Sequence, residues 1–260
     1  SPPFRKNSCW PNAAGKRLSG KVAMSGTKRK GPDGIGKEIG VLDLQGDVCE
    51  HLDHLQRLDV EARPVKQAED FEGLAGLILP GGESTCLARL ICNFRIDEII
   101  IRKFQEGMKL WGTCAGAILL AKSLVGEMPH LGLIDIEVER NGFGSQLDSF
   151  ACMASVPKIS PMPIPLTFIR APKIVGVGKG VDVLLKMEGF IAAAESPDVL
   201  VTVFHPELTP SLAFHRYFVE KCGLTTGYGK EAEEDWDRTS WMRLARITPA
   251  RSNRSVRFGG

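Results

Sequence analysis

Two textures of apolar residues divide this 260-residue chain. From Ile39 to Lys122, short unbroken apolar runs alternate with stretches whose apolar residues recur every three or four positions. Residues 39–44 form the first run and predict a strand. Residues 47–58 follow as a helix, with Val48, Leu52, Leu55 and Leu58 on one face. A short strand is expected over 60–65. Another is expected over 74–79, running into Pro80-Gly-Gly-Glu-Ser84. Residues 85–105 read as helix with an interruption near Asn93. Met108 to Trp111 is again a short apolar strand, Gly112 to Gly116 a tight turn, and Ala115 to Lys122 a run of helix formers. Such alternation predicts a mostly parallel α/β sheet, which gathers its ligands at the loops after strand C-termini.

Beyond Lys122 the spacing becomes that of strands with little helix between them: residues 131–139, 150–156, 166–169, 181–187 and 190–194. Val199 to Phe204 is continuously apolar, the pattern of a strand buried on both faces. It leads into His205-Pro206-Glu207. Residues 209–222 predict a last amphipathic helix, capped by Thr209 with Pro210 at its first position. The ends lack any periodic apolar face. Residues 1–38 and 225–260 are therefore expected to be disordered, leaving 39–224 as the folded domain.

Charge reinforces this division. The net charge is +2, but residues 1–38 carry nine Lys/Arg against two acids and residues 225–260 carry seven against five, which leaves the body at −7. The basic ends read as solvated rather than as a nucleic-acid site. No apolar run is long enough to span a membrane. The seven cysteines lack regular spacing and form no C-x-x-C pair, which argues against a disulfide framework or zinc and for a reducing compartment. A cytoplasmic location is expected. Plastid or mitochondrial targeting by the basic extension stays open, as does a natural start at Met24.

The turn around Cys114 holds the most distinctive chemistry. Glycines stand two residues before and two after it, between a strand and a helix, as in a nucleophile elbow. This exposes a sulfur near a helix N-terminus, favours thiolate, and makes the Ala115 N–H a candidate oxyanion donor. A buried structural cysteine would suit the same turn, and the glycines alone leave the two readings equal. A nucleophile needs a base and a group to orient that base. Of five histidines, His51 and His54 fall on the first helix beside charged residues, His130 in a Pro-containing loop, and His215 inside the last helix. His205 directly follows a buried strand, and Glu207, two residues on, shares its side in extended chain. Gly81-Gly82 after a strand can bring backbone N–H groups close to a ligand.

Cys114 in Gly-Thr-Cys-Ala-Gly and the His205-Pro-Glu207 triplet resemble class I, triad-type glutamine amidotransferases. The resemblance narrows to the glutaminase subunits of pyridoxal 5′-phosphate synthase through Leu44-Gln-Gly46, Pro80-Gly-Gly-Glu-Ser-Thr85, Arg140-Asn141, Phe143-Gly-Ser-Gln146, Asp148-Ser-Phe150, Phe168-Ile-Arg-Ala-Pro172 and Phe204-His-Pro-Glu-Leu-Thr209. It runs from about Ile39 to Leu224. It implies a three-layer, flavodoxin-like α/β fold with a β-rich C-terminal half. It also implies hydrolysis of L-glutamine to glutamate and ammonia through a glutamyl thioester, without a cofactor or metal. Cys114 would be the nucleophile, His205 the proton relay and Glu207 its orienting group. Gly82 and Ala115 would form the oxyanion hole, and Gly82, Glu83, Ser84, Arg140, Ile169 and Arg170 would hold the substrate. The two arginines, expected to be buried, would pair with the substrate α-carboxylate. Ammonia would pass to a (β/α)₈-barrel synthase subunit, on which such glutaminases depend for full activity. A non-catalytic module that only binds the synthase is the alternative. The sequence departs from the family at Asp43 and Asp47, where small or apolar residues are usual, at Ala151, and in the four-proline stretch 157–165. These departures are expected to affect partner docking and to leave the triad untouched.

Overall fold

A computed structural model describes residues 37–140 and 149–227. Both proposed disordered ends, the Met24 question, and the motif residues Asn141, Phe143 to Gln146 and Asp148 lie outside the described residues, apart from the few end residues at 37–38 and 225–227.

The first half follows the expected alternation. Strand β1 (Glu38–Leu42) leads to helix α1 (Val48–Arg57), and β2 (Ala62–Val65) is followed by a single 3₁₀ turn at Ala68–Phe71. Strand β3 (Leu74–Leu79) leads to α2 (Ser84–Asn93) and α3 (Ile96–Gln105), broken at Arg95, which takes a left-handed conformation. Strand β4 (Lys109–Thr113) enters α4 (Ala115–Leu120) through Cys114. In the second half come β5 (Ala121–Leu124), β6 (Ile134–Glu139), β7 (Phe150–Ala154), β8 (Ile164–Phe168), β9 (Lys173–Val177), β10 (Asp182–Met187), β11 (Phe190–Glu195) and β12 (Val199–Thr202), and then α5 (Ala213–Lys221).

The main sheet runs β2-β1-β3-β4-β12-β11-β9-β6-β5, with β10 paired to β11. Its first five strands are all parallel, in the doubly wound order of flavodoxin-like sheets. Past β12 the pairing turns antiparallel through β11, β9 and β6, and β7 and β8 form a separate two-stranded ribbon. Every residue of β3 and β12 is buried, as a central parallel strand requires. Pro64, which cannot donate to a ladder, lies in the edge strand β2.

The alternation of side chains along β4 separates the helical layers. Trp111, fully buried, packs its ring against His51 of α1 and against His215 and Phe218 of α5. Its neighbour Gly112 meets Gly116 of α4 on the opposite side. Helices α1 and α5 thus cover one face, and α4 with its neighbour α2 the other.

Three expectations need correction. The helix predicted over 115–122 ends at Leu120: Ala121 is extended and begins β5, because pairing with β6 overrides the helix propensity of Ala and Lys. The last helix begins at Ala213 rather than Thr209. The Thr209 hydroxyl donates back to the Pro206 carbonyl, closing a 3₁₀ turn at Pro206–Leu208 instead of capping a helix. Strand β9, unexpected from the pattern, contains Gly176 and leaves Val175 and Val177 exposed, so it lacks a clear apolar face.

Candidate active site

The loops after β1, β3, β4 and β12 converge at the C-terminal edge of the parallel strands. Cys114 sits at the apex between β4 and α4 with φ 47° and ψ −103°, a conformation costly for any residue with a side chain. Its amide donates to the Thr202 carbonyl at 2.8 Å, tying the turn to β12. The turn can lie this close to the sheet because residue 116 is glycine: a Cβ there would stand 2.0 Å from the Leu79 carbonyl oxygen. Cys114 as a whole is 7% exposed.

His205 leaves the end of β12, with its amide held by the Thr167 carbonyl of β8 at 2.8 Å. Its Nδ1 hydrogen bonds with Glu207 Oε1 at 2.7 Å, and Glu207 is fully buried. Burial alone would disfavour the imidazolium. The charges of Glu207 and Cys114, with hydrogen bonds to Asp47 and Cys114, outweigh it and hold the pKa well above 6.5. A cysteine in hydrogen-bonding contact with a histidine of raised pKa is an arrangement suited to an activated sulfur nucleophile.

The loop after β3 lies against this pair. A Cβ on Gly81 would stand 2.4 Å from His205 Cε1, so the loop packs directly against the imidazole. Gly82 has φ +143°, a conformation that favours glycine. Glu83 is mainly structural: its carboxylate accepts from the Thr85 and Cys86 amides at 2.9 and 2.6 Å as the N-cap of α2, which lowers its pKa. Ser84 is buried in the first turn of α2.

The two arginines are less buried than expected. Arg140, half-buried at the end of β6, pairs with Glu127 at 2.7 Å and donates to Thr85 Oγ1 at 2.9 Å, with Glu83 at 3.6 Å. Arg170 is exposed at φ 44°, and Ile169 beside it is half-buried. Arg140 is thus linked to the β3–α2 loop. Ile169 and Arg170 follow β8, the strand whose Thr167 holds the His205 amide.

Asp47 departs most from expectation. It touches the histidine: Asp47 Oδ2 lies 3.2 Å from His205 Nδ1. Asp43, by contrast, turns to Lys66 at 3.0 Å. One atom each of Asp47, His205 and Glu207 lies within a 4.8 Å cluster of metal-ligand type. The His205–Glu207 hydrogen bond already accounts for the approach of two of its three members. The sequence signal for Asp47 was its position directly after the turn ending β1, the same strand-end edge that carries Cys114 and His205.

Three histidines set aside as helix residues are also buried: His51, His54 and His215 are each 0% exposed. His51 Nε2 faces Glu207 Oε2 at 3.5 Å and Thr113 Oγ1 at 3.4 Å, and its Nδ1 faces His215 Nε2 at 2.9 Å.

Comparison with known proteins agrees with this geometry. Residues 41–224 match the model of the SNO glutamine amidotransferase family. The chain is 62% identical to the pyridoxal 5′-phosphate synthase subunit PdxT of Syntrophus aciditrophicus over 210 residues, covering 80% of this chain and 94% of that one. It is 50% identical to the PdxT of Clostridium botulinum, covering 70% and 96%. A solved structure described as a glutamine amidotransferase superposes with a TM-score of 0.68 at 43% identity, covering 72% of this chain and 99% of that one. The sequence match, the doubly wound sheet and the cysteine elbow agree, and the chain belongs to the SNO glutamine amidotransferase family.

Proposed function

We propose that this chain hydrolyses L-glutamine to L-glutamate and ammonia, and that the ammonia serves the synthesis of pyridoxal 5′-phosphate. The observation that carries the reading is the contact of His205 with both a strained, nearly buried Cys114 and a dry Glu207 carboxylate 2.7 Å from its Nδ1. Cys114 sulfur attacks the side-chain carbonyl carbon. The resulting oxyanion is held by the Gly82 and Ala115 N–H groups, each such donor being worth about 10²–10³ in rate. His205 passes its proton to the departing nitrogen, ammonia leaves, and a glutamyl thioester remains. His205 then takes a proton from water, whose oxygen attacks the thioester carbon; the C–S bond breaks and glutamate departs. Glu207 keeps the imidazole oriented through both steps. Gly82, Glu83, Ser84, Arg140, Ile169 and Arg170 form the substrate rim, with the arginines turned to the α-carboxylate. Arg140 engages it by sharing the guanidinium with Glu127.

The ammonia acceptor is read as a (β/α)₈-barrel synthase subunit docked over the site, with residues 39–224 as the glutaminase domain. Glutamate release from L-glutamine tests this, measured with and without the synthase for wild type and Cys114→Ala. The expected result is release that rises with the partner and vanishes in the variant. Release that persists in Cys114→Ala would overturn the assignment.

A further inference from the structure

Asp47 immediately precedes α1, where a carboxylate ordinarily accepts hydrogen bonds from the free N–H groups of the first helical turn. Asp47 makes no such side-chain bond. Its carboxylate turns instead to His205, with Oδ2 3.2 Å from Nδ1, the nitrogen that also faces Glu207 Oε1 at 2.7 Å. One ring N–H is therefore shared between two carboxylates from different elements, Glu207 from the turn after β12 and Asp47 from the loop after β1. The loop is held there by contact with its neighbour: a Cβ on Gly46 would stand 1.8 Å from the Gly81 carbonyl oxygen. The two carboxylates differ in setting, since Glu207 is fully buried and the Asp47 side chain is 35% exposed.

We propose that Asp47 is a positioning residue for the amidotransferase reaction, a second, solvent-facing carboxylate that clamps His205 toward Cys114. This inference rests on the glutaminase reading above. A helix cap has been given up for the contact, and the burden of the His205 positive charge is divided between an inner and an outer partner. The titratable groups facing the imidazole are Cys114 from the elbow, Glu207 from its own turn, and Asp47 and His51 from the β1–α1 segment. His51 has its pKa lowered to about 4 and is neutral in the working range. Removing the Asp47 charge leaves Glu207 in place, so the site survives with a less stable imidazolium. An opposite charge at this distance shifts a pKa by about one unit or more. The alkaline edge of activity, where the imidazolium is lost, should move down accordingly.

The test compares wild type, Asp47→Asn, Asp47→Ala and Cys114→Ala in the presence of the synthase, with thermal unfolding as a check of folding. Two profiles are measured against pH: glutamate release, and the rate of Cys114 alkylation by iodoacetate, an anion whose approach depends on the imidazolium charge, followed by peptide mapping. For both Asp47 variants we expect both alkaline edges to fall by about one pH unit, with a loss of kcat on the order of tenfold or less and little change in KM. If the Asp47→Asn and Asp47→Ala profiles superimpose on wild type while Cys114→Ala is inactive, the clamp is refuted and the glutaminase reading stands. If wild type releases no glutamate, or Cys114→Ala still does, the glutaminase reading fails. The alkylation profile then still decides whether Asp47 supports the His205–Cys114 pair.

Discussion

His51 stands directly behind Glu207, its Nε2 3.5 Å from Oε2, the carboxylate oxygen turned away from His205. The buried pair continues the line from Cys114 through His205 into the core. With the hydrogen on Nε2, His51 points its N–H to the Thr113 hydroxyl and accepts at Nδ1 from His215 Nε2, so the Glu207 Oε2 beside it is a polar neighbour without a hydrogen bond. Replacing His51 by Leu leaves Glu207 Oε2 and His215 Nε2 facing an apolar side chain. The expected result is a fall in kcat of about tenfold, the scale of losing one polar neighbour of a buried carboxylate. KM should hold. Steady-state kinetics on the folded variant checks this, and an unchanged kcat would remove His51 from the positioning of Glu207.

Acid should unfold the protein earlier than its carboxylates alone would dictate. Burial lowers the pKa of His51 to about 4, lowers that of His54, and carries that of His215 well below 6.5. The stability contributed by these neutral histidines is complete above the unfolded value of 6.5 and is lost as pH falls toward 4. His51 alone accounts for roughly 3 kcal/mol of that loss. His205 does not oppose it, because its raised pKa contributes stability already complete below 6.5. Denaturant titrations between pH 6.5 and about 4 should show the midpoint falling steadily. A flat midpoint across that range would contradict the burial of the three rings.

Strain at the elbow can be separated from chemistry. Cys114 at φ 47° and ψ −103° sits where only glycine is comfortable. Cys114→Gly and Cys114→Ala both remove the sulfur and should both be inactive. The glycine variant should be the more stable by about 1 kcal/mol, since it alone relieves the backbone. Equilibrium unfolding of the two variants measures the difference, and greater stability of the alanine variant would show the turn to be unstrained.

The parallel half of the fold was legible because its signals are local. Leu74 to Leu79 and Val199 to Phe204 are unbroken apolar runs, and Gly112-Thr-Cys-Ala-Gly116 fits few conformations. The meeting of Cys114, His205 and Glu207 was legible for the same reason, since all three stand at strand ends. Cross-chain effects were not. Nothing near Ala121 announces that β6 will claim it as a strand, and nothing near Thr209 shows that its hydroxyl will turn back to Pro206. Asp47 was noticed as unusual and placed on a docking surface, because its partner His205 is far away in sequence and only the sheet order brings the β1 loop beside the β12 loop. The arginines were misjudged as buried, because charge and motif indicate a ligand without indicating depth. His51 and His54 of α1 are passed over for the converse reason: flanking charges suggest a wet face, while both rings are buried, that of His51 against Trp111.

The position of β12 in the sheet order bears on how the enzyme comes into being. That strand inserts between β4 and the antiparallel half, and it brings His205 and Glu207 to a cysteine whose own strand was made far earlier. A growing chain emerging from the ribosome can therefore complete β1 to β4 and present the Cys114 turn while lacking any base to activate it. Its amide is also still without the Thr202 carbonyl that will anchor it. The cysteine meets its histidine only once β12 has joined the sheet, so chains that end before β12 carry a thiol without that base.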